Sequence, residues 1–377
     1  MPETENKSKN NRLVAIDLGN GNLKIRTIAG TFIGPSQYIR SFGPRIPGTQ
    51  NVDDILEFSF PELGSEKYLW GTDLGNLKSL DQAIDTRSFK GRYQQESYKK
   101  MFLIALAYAV NKDPFHKSSY TVEIVGGMPT DDAKSEANRE AVRNALVGTH
   151  DVVVEGTPYS ITVETQDNVK LLPQAVGTLI DLAYDKTGNQ IHPEFFSTGR
   201  TTLVDFGTGT ILYDQFVAGR HADSSMQTRG GAFKIAEEVA RQANEISKFD
   251  VEFKAKDVFT MFNNHQDNTP YIIQKNKMIK QNVTSIVQGQ IDQVTKDIIA
   301  QLKDIPEWDT SDNFVVTGGG SHLVNHKILD QFLQTKGLSA TYIENPLTAN
   351  VNGFYKYVLS VSDFFKRQEE AIQKEKA

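Results

Sequence analysis

Two short segments, far apart in the chain, share one pattern: an apolar run that ends in an aspartate and is followed by alternating glycines. The segments are Ile16-Asp17-Leu18-Gly19-Asn20-Gly21 and Val204-Asp205-Phe206-Gly207-Thr208-Gly209. A second β-like run follows each of them, at 23–28 and 211–213. The pattern predicts a strand, a glycine-rich turn and a second strand, present twice. The chain is therefore expected to contain a duplicated α/β domain.

Each glycine turn is followed by a predicted strand, which distinguishes these turns from two common nucleotide-binding loops. In Rossmann and Walker-type loops the glycines lead directly into a helix, whose N-terminus holds the phosphate. Here both turns lead into alternating apolar and polar residues, and no Gly-x-x-x-x-Gly-Lys-[Ser/Thr] sequence occurs. A glycine-rich turn still offers successive backbone N–H groups to an anion. Two ordinary hairpins are the alternative, but the paired occurrence after buried-type strands favours phosphate binding.

Composition excludes several classes of function. A length of 377 residues favours two domains. The net charge of -6 and the scattered basic residues argue against direct nucleic-acid binding. The absence of cysteine excludes disulfides, zinc–thiolate sites and thiol chemistry. The first twelve residues are polar and the longest apolar stretch, 101–110, is too short to span a bilayer, so we expect a cytoplasmic protein without a membrane anchor.

The first half of the chain follows its hairpin with an insertion and then returns to regular structure. Residues 38–99 are rich in Gly, Pro, Ser and Asp, and they predict a small, loop-rich subdomain. A helix over 92–110, a strand over 120–125 and a helix over 131–147 follow. The segment 168–181 then predicts a strand end, a Pro-Gln corner and a helix.

The second half repeats this order. Gly230-Gly231 precedes an amphipathic helix. The apolar residues of that helix are Ala232, Ile235, Ala236, Val239, Ala240 and Ala243. A polar, irregular stretch at 242–281 predicts a second inserted subdomain. A helix over 282–303, a strand over 314–317 and a final helix that starts at Asn345-Pro346 complete the pattern.

Five motifs, in this order, resemble those of the actin-like ATPase superfamily, whose two halves are ribonuclease-H-like. They are Asp17-Leu18-Gly19-Asn20-Gly21-Asn22-Leu23-Lys24 (first phosphate loop), Leu171-Leu172-Pro173-Gln174 (first connecting segment), Asp205-Phe206-Gly207-Thr208-Gly209-Thr210 (second phosphate loop), Val315-Val316-Thr317-Gly318-Gly319-Gly320-Ser321 (adenosine motif) and Pro346-Leu347-Thr348-Ala349-Asn350-Val351-Asn352-Gly353-Phe354 (second connecting helix). The resemblance implies an α/β, actin-like fold, in which two duplicated domains flank a nucleotide cleft and each carries an inserted subdomain.

This resemblance also implies domain limits. Domain I would comprise 12–170 and 345–377, with an inserted subdomain at about 38–99. Domain II would comprise 171–344, with an inserted subdomain at about 242–281.

Within the superfamily, the chain is most similar to the ParM/StbA group of plasmid-segregation actins and their archaeal relatives. The supporting residues are Gly127-Met128-Pro129, the stretch 146–150, Ala349-Asn350 and Gly353-Phe354-Tyr355. The resemblance implies an ATPase that uses Mg²⁺ and ATP or GTP, self-associates into filaments and works with a DNA-binding adaptor protein. The alternative is a kinase of the same fold acting on a sugar or small acid. Such kinases usually place an extra catalytic aspartate in the second domain, and no convincing motif of that kind occurs here.

The same resemblance assigns roles to individual residues. Asp17 and Asp205, each at a strand end, would hold Mg²⁺ through water. Lys24 would add a positive charge, although a solvated lysine at a strand edge is the open alternative. The phosphate-binding backbone N–H groups would belong to Gly19, Asn20, Gly21, Asn22, Gly207, Thr208, Gly209 and Thr210. The purine and ribose would approach Gly318, Gly319, Gly320 and Ser321, where a Cβ would obstruct them.

Gln174 is the candidate for orienting the attacking water, alongside Asp17 and Asp205 as catalytic residues. An amide cannot act as a general base at neutral pH, so its contribution would be geometric. Plasmid-segregation actins often carry Glu at this place, whereas actin itself has Gln. The identity of the proton acceptor stays open at this point.

Overall fold

The computed structural model describes residues 10–41, 43, 54–76, 83–86, 91–196, 199–266 and 268–376. Two compact units are present, which we call unit 1 (Met1–Pro193 with Thr348–Ala377) and unit 2 (Glu194–Leu347). The segment 171–193 belongs to unit 1, whereas the sequence predicts it in domain II. The reason is that strand Val169–Pro173 pairs within the sheet of unit 1 and the helix after it packs there too.

One mixed sheet of eleven strands runs through the described part of unit 1. The strands are β1 (Asn11–Leu18), β2 (Asn22–Thr27), β3 (Gly30–Pro35), β4 (Gln37–Arg40), β5 (Leu56–Ser59), β6 (Lys67–Trp70), β7 (Ile84–Asp85), β8 (Ser119–Met128), β9 (Gly148–Val154), β10 (Thr157–Val163) and β11 (Val169–Pro173). β1 pairs antiparallel with β2 and parallel with β8, while β8 also pairs parallel with β10 and β11. Strands β4 to β7 come from the predicted inserted segment and extend this sheet beyond β9.

Burial explains why β1 lies inside the sheet. Seven of its eight residues are buried, as expected for a strand with neighbours on both sides and helices on its faces. β2 instead alternates, with Leu23 and Ile25 fully buried. The predicted hairpin is thus confirmed.

The helices of the described chain follow the predicted order, with two corrections. They are α1 (Glu96–Asn111), α2 (Thr130–Lys134), α3 (Glu136–Leu146), α4 (Gln174–Ala183), α5 (Ala232–Ile246), α6 (Ala255–Asn263), α7 (Thr284–Leu302), α8 (His326–Gln334), α9 (Ala349–Val361) and α10 (Asp363–Lys376). The single helix predicted over 131–147 is wrong, because the Ser135 hydroxyl accepts the Asn138 N–H and begins a new helix. The helix predicted to start at Asn345-Pro346 starts at Ala349, and a further helix, α10, follows it.

Unit 2 repeats the central strand order of unit 1. Its strands are β12 (Arg200–Phe206), β13 (Thr210–Val217), β14 (Arg220–His221), β15 (Met226–Arg229), β16 (Ile272–Gln274), β17 (Lys280–Asn282), β18 (Asn313–Thr317) and β19 (Ala340–Tyr342). β12 pairs antiparallel with β13 and parallel with β18, and β18 pairs parallel with β19. The order β13-β12-β18-β19 therefore matches β2-β1-β8-β11. The predicted duplication of an α/β domain is confirmed.

The stretch 242–281 is more regular than its polar sequence predicts. Helix α5 continues to Ile246, α6 follows, and β16 and β17 form a hairpin. The helical spacing of the buried residues Val258, Met261 and Phe262 explains α6. Within the described residues, no helix combines the length and apolar character needed to cross a membrane.

Helices α4 and α9 of unit 1 cross at a pair of glycines. A Cβ on Gly353 would lie 1.7 Å from the carbonyl oxygen of Gly177. Beside this crossing, the buried Thr178 hydroxyl donates to Asn350 Oδ1 at 2.7 Å. Only glycine allows the two backbones to approach so closely. The crossing thus places α4, whose first residue is Gln174, against the rest of unit 1.

Candidate functional site

The two glycine turns have the same local geometry. In the first, the Gly19 N–H donates to the Asn22 carbonyl at 3.1 Å. In the second, the Gly207 N–H donates to the Thr210 carbonyl at 2.9 Å. In each hairpin, the aspartate lies two residues before the first glycine and pairs with the equivalent position of the next strand. For Asp17 that position is Lys24. The repeat seen in the sequence is therefore also a repeat in backbone register.

Asp17 is the centre of a polar cluster in unit 1. Its side chain is fully buried and accepts two hydrogen bonds, from Lys24 Nζ at 2.8 Å and from Gln174 Nε2 at 3.0 Å. The Lys24 side chain is only 13% exposed, so it is an ion-paired residue and not a solvated lysine at a strand edge. Three of the residues singled out in the sequence thus lie together.

Strand order brings these three residues together. Asp17 stands near the end of β1, and Gln174 follows directly after β11, which is parallel to the same neighbour, β8. The carboxyl ends of parallel strands lie at one edge of a sheet, where α/β proteins commonly bind ligands. Because the Gln174 amide nitrogen faces a carboxylate, its oxygen points away from Asp17 and can accept a hydrogen bond.

Two residues that support the first turn were missed in the sequence. The Ser36 hydroxyl donates to the Gly19 carbonyl at 2.6 Å, and its backbone N–H donates to the Gly21 carbonyl at 3.1 Å. Arg92 donates to the Leu18 carbonyl at 2.8 Å. Ser36 and Arg92 belong to no recognisable motif, and the contact of Arg92 joins positions 74 apart. No signal in the sequence could have found them.

Tyr98 lies beside Arg92. The guanidinium carbon of Arg92 is 5.0 Å from the centroid of the Tyr98 ring. Burial raises the pKa of Tyr98 to about 12, although the positive charge of Arg92 opposes this rise. Tyr98 is therefore a neutral phenol at physiological pH.

In unit 2 the second turn is held by backbone groups. The carbonyls of Gly207 and Thr208 accept the N–H groups of Ala232 and Phe233, at 3.0 and 2.7 Å. These donors belong to the first turn of α5, where N–H groups lack partners within the helix. A Cβ on Gly231 would lie 2.2 Å from the Gly207 carbonyl oxygen, which explains the glycine before the helix.

The glycines after β18 pack against the base of the second turn. Gly318 has a φ of +91° and its Cβ would lie 2.2 Å from Oδ1 of Asp205, which is 7% exposed. The Gly320 N–H donates to the Phe206 carbonyl at 2.7 Å. Asp205, Gly318 and Gly320 are therefore neighbours, whereas Ser321, also buried, begins a short 3-10 turn.

Replacing Gly318 with alanine is expected to lower the free energy of unfolding by about 2–4 kcal/mol, because the methyl group would strain a positive φ and collide with Asp205. Chemical denaturation measures this change. The matched control is Gly289→Ala in α7, where a Cβ meets nothing within 4 Å and a gain of up to about 1 kcal/mol is expected. Equal stability of the Gly318→Ala protein and the wild type would contradict the prediction.

The candidate site offers few carboxylates, which suits a cation whose other ligands are water and phosphate oxygens. Among the described residues, no three His, Cys, Asp or Glu side chains are grouped so as to hold a metal ion. Mg²⁺ commonly retains several waters and binds one or two carboxylates together with substrate phosphates. A single buried aspartate beside a glycine turn, as at Asp17, fits that mode of binding.

Comparison with known proteins agrees with this architecture. Residues 15–177 match the family model described as "Actin like proteins N terminal domain". The crystal structure of the actin-like protein Alp7A is 16% identical, with a TM-score of 0.72 over 97% of this chain and 100% of that one. The chain has the actin-like fold. The actin-like fold that the sequence motifs imply is thereby confirmed.

Two further solved structures share the actin-like fold. A 15-stranded ParM filament from Clostridium botulinum is 16% identical, with a TM-score of 0.67 over 95% of this chain and 99% of that one. ParM of Bacillus thuringiensis with ATP is 17% identical, with a TM-score of 0.65 over 95% of this chain and 100% of that one. Curated protein sequences give no significant match. At these identities the structural likeness shows the fold.

Proposed function

We propose that the protein binds and hydrolyses ATP or GTP and polymerises into filaments whose stability depends on the bound nucleotide. The observation that carries this proposal is the buried carboxylate of Asp17, which holds both Lys24 and Gln174 beside a glycine turn. The same strand and turn recur at Asp205. A lysine, a positioned amide and backbone N–H groups are the components that phosphoryl transfer uses.

Residues of the glycine turn in each unit would bind phosphate. In unit 1 these are Gly19, Asn20, Gly21 and Asn22, with the Lys24 ammonium as a positive charge. In unit 2 they are Gly207, Thr208, Gly209 and Thr210. Asp17 and Asp205 would hold Mg²⁺ through water, and the bound ion would neutralise charge on the phosphates. The segment Gly318-Gly319-Gly320-Ser321 would lie against the purine and ribose.

Gln174 would orient the water that attacks the terminal phosphate. Its amide nitrogen is held by Asp17, and this leaves the amide oxygen as an acceptor for a water O–H. The amide has no useful basicity, so it acts by restricting the water to a reactive orientation. The proton of that water would pass to a phosphate oxygen or to solvent.

Self-association would connect identical subunits head to tail. Such a contact joins two different surfaces of the subunit and does not close, so it propagates into a fibre. The likeness to a ParM filament supports this part of the proposal. By the same resemblance, the filaments would segregate plasmid DNA in the cytoplasm. A DNA-binding adaptor would link them to DNA, because a net charge of -6 disfavours direct binding.

Assembly is expected in the presence of Mg²⁺ with ATP or a non-hydrolysable analogue, and disassembly is expected after hydrolysis. Calorimetry first tests nucleotide binding, and light scattering with pelleting then follows assembly at micromolar protein concentrations. The matched control omits Mg²⁺. A lack of Mg²⁺-dependent binding of ATP and GTP would refute the proposal. Flat scattering together with phosphorylation of a small metabolite would support the kinase alternative instead.

A further inference from the structure

Arg92 is a buried cation that contacts the first glycine turn. Its side chain donates through Nη2 to the Leu18 carbonyl at 2.8 Å and through Nη1 to Asn20 Oδ1 at 3.3 Å. The residue is 8% exposed. Arg92 therefore contacts the turn at two points: the backbone carbonyl before the turn and a side chain at the tip of the turn.

The charge of Arg92 lacks an acidic partner within the described part of the chain. Its contacts there are the two hydrogen bonds to the turn and the rings of Tyr93 and Tyr98. The Nε–H group is buried and has no hydrogen-bond partner among the described residues. A buried charge is costly unless an opposite charge compensates it. An anion bound at the turn would supply that compensation.

The second glycine turn differs from the first in the groups that hold its carbonyls. There the carbonyls of Gly207 and Thr208 are held by backbone N–H groups of α5, which carry no net charge. In the first turn, the Ser36 backbone N–H holds the Gly21 carbonyl, but the carbonyls of Gly19 and Leu18 are held by side chains, the Ser36 hydroxyl and the Arg92 guanidinium. The two halves of the duplicated motif thus differ in their support, because a positively charged side chain donates a hydrogen bond at the base of the first turn, whereas backbone N–H groups hold the carbonyls of the second.

We propose that Arg92 is a positioning residue for the first phosphate loop, and that its charge, which forms no salt bridge within the described residues, selects polyphosphate over uncharged ligands there. The proposal rests on the proposed function, because it assigns the phosphates to this turn. It concerns the conformation of residues 18–22 in the free protein and the affinity for the phosphate chain.

Hydrogen exchange of the nucleotide-free protein tests the positioning role. Arg92→Met is expected to speed amide exchange in the peptide that contains Gly19 to Asn22, because the Leu18 carbonyl and the Asn20 side chain lose their donor. The peptide that contains Gly207 to Thr210 serves as internal control and should not change. Unchanged exchange in the first peptide would overturn the positioning role, whether or not the protein binds nucleotide.

Ligand binding tests the role of the charge. Arg92→Met is expected to weaken ATP binding about 10- to 100-fold and to leave adenosine binding unchanged. Inorganic tripolyphosphate should raise the melting temperature of the wild type more than that of the variant. Arg92→Lys retains the charge but cannot form both hydrogen bonds, so this variant should bind ATP more tightly than Arg92→Met and less tightly than the wild type.

Arg143→Met is the matched control. Arg143 belongs to the same unit and also has a buried, unpartnered Nε, but it pairs with Glu136 in α3. Its replacement should not alter the ratio of ATP affinity to adenosine affinity. An equal loss of both affinities in Arg92→Met would overturn the role of the charge. Absence of ATP binding in the wild type would instead overturn the proposed function, and the exchange experiment would still decide the positioning role.

Discussion

Replacing Asp17 with alanine is expected to slow nucleotide hydrolysis by roughly 1,000-fold, equivalent to about 4 kcal/mol of transition-state stabilisation. The effect is large because one carboxylate serves three purposes. It would hold the water shell of Mg²⁺, it pairs with the Lys24 ammonium, and it orients the Gln174 amide. Steady-state turnover with saturating Mg–ATP measures the loss, with a fold check by circular dichroism.

Gln174→Ala removes only one of these contacts, so its loss of turnover can be compared with that of Asp17→Ala. This variant should slow turnover by roughly 10- to 1,000-fold and leave nucleotide affinity nearly intact, because only transition-state orientation is lost. Asp113→Ala is the matched control for loss of a buried carboxylate, since Asp113 pairs with Arg12 at the beginning of β1. It should reduce stability and spare turnover at low temperature. Wild-type turnover in Gln174→Ala would show that the assigned role is wrong.

Replacing Gly353 with alanine is expected to lower the free energy of unfolding by more than about 4 kcal/mol. The added methyl group would lie 1.7 Å from the Gly177 carbonyl oxygen, so α4 and α9 would have to move apart. Separation would also break the buried hydrogen bond from Thr178 to Asn350. Chemical denaturation and the yield of folded protein measure the effect.

The expected loss of stability in Gly353→Ala is opposite in sign to the usual effect of replacing glycine with alanine in a helix. Alanine in a helix interior normally stabilises by about 1 kcal/mol relative to glycine. Gly289→Ala in α7 should show that gain, because its Cβ meets nothing within 4 Å. Stabilisation by both substitutions would mean that the α4–α9 crossing is not as close as described.

Local patterns in the sequence predicted the parts of the fold that depend on neighbouring residues. A strand that ends in aspartate, a glycine turn and a second alternating strand are all readable within about ten positions. Helix α5 was predicted with its six buried apolar residues because they recur at helical spacing. Helix starts were less reliable. The break between α2 and α3 at Ser135 and the start of α9 at Ala349 depend on competition between caps and tertiary packing, not on one residue type.

The duplicated motif and the aspartates near the ends of β1 and β12 can be read from the sequence, because apolar periodicity and glycine placement are local properties. The contacts of those aspartates depend on how the strands are arranged in three dimensions. Lys24 lies opposite Asp17 through strand register, but Gln174 reaches it across 157 positions through strand order. Arg92 and Ser36 reach the first turn in the same way. Periodicity specifies which face of an element is buried, and it carries no information about which distant side chain arrives there.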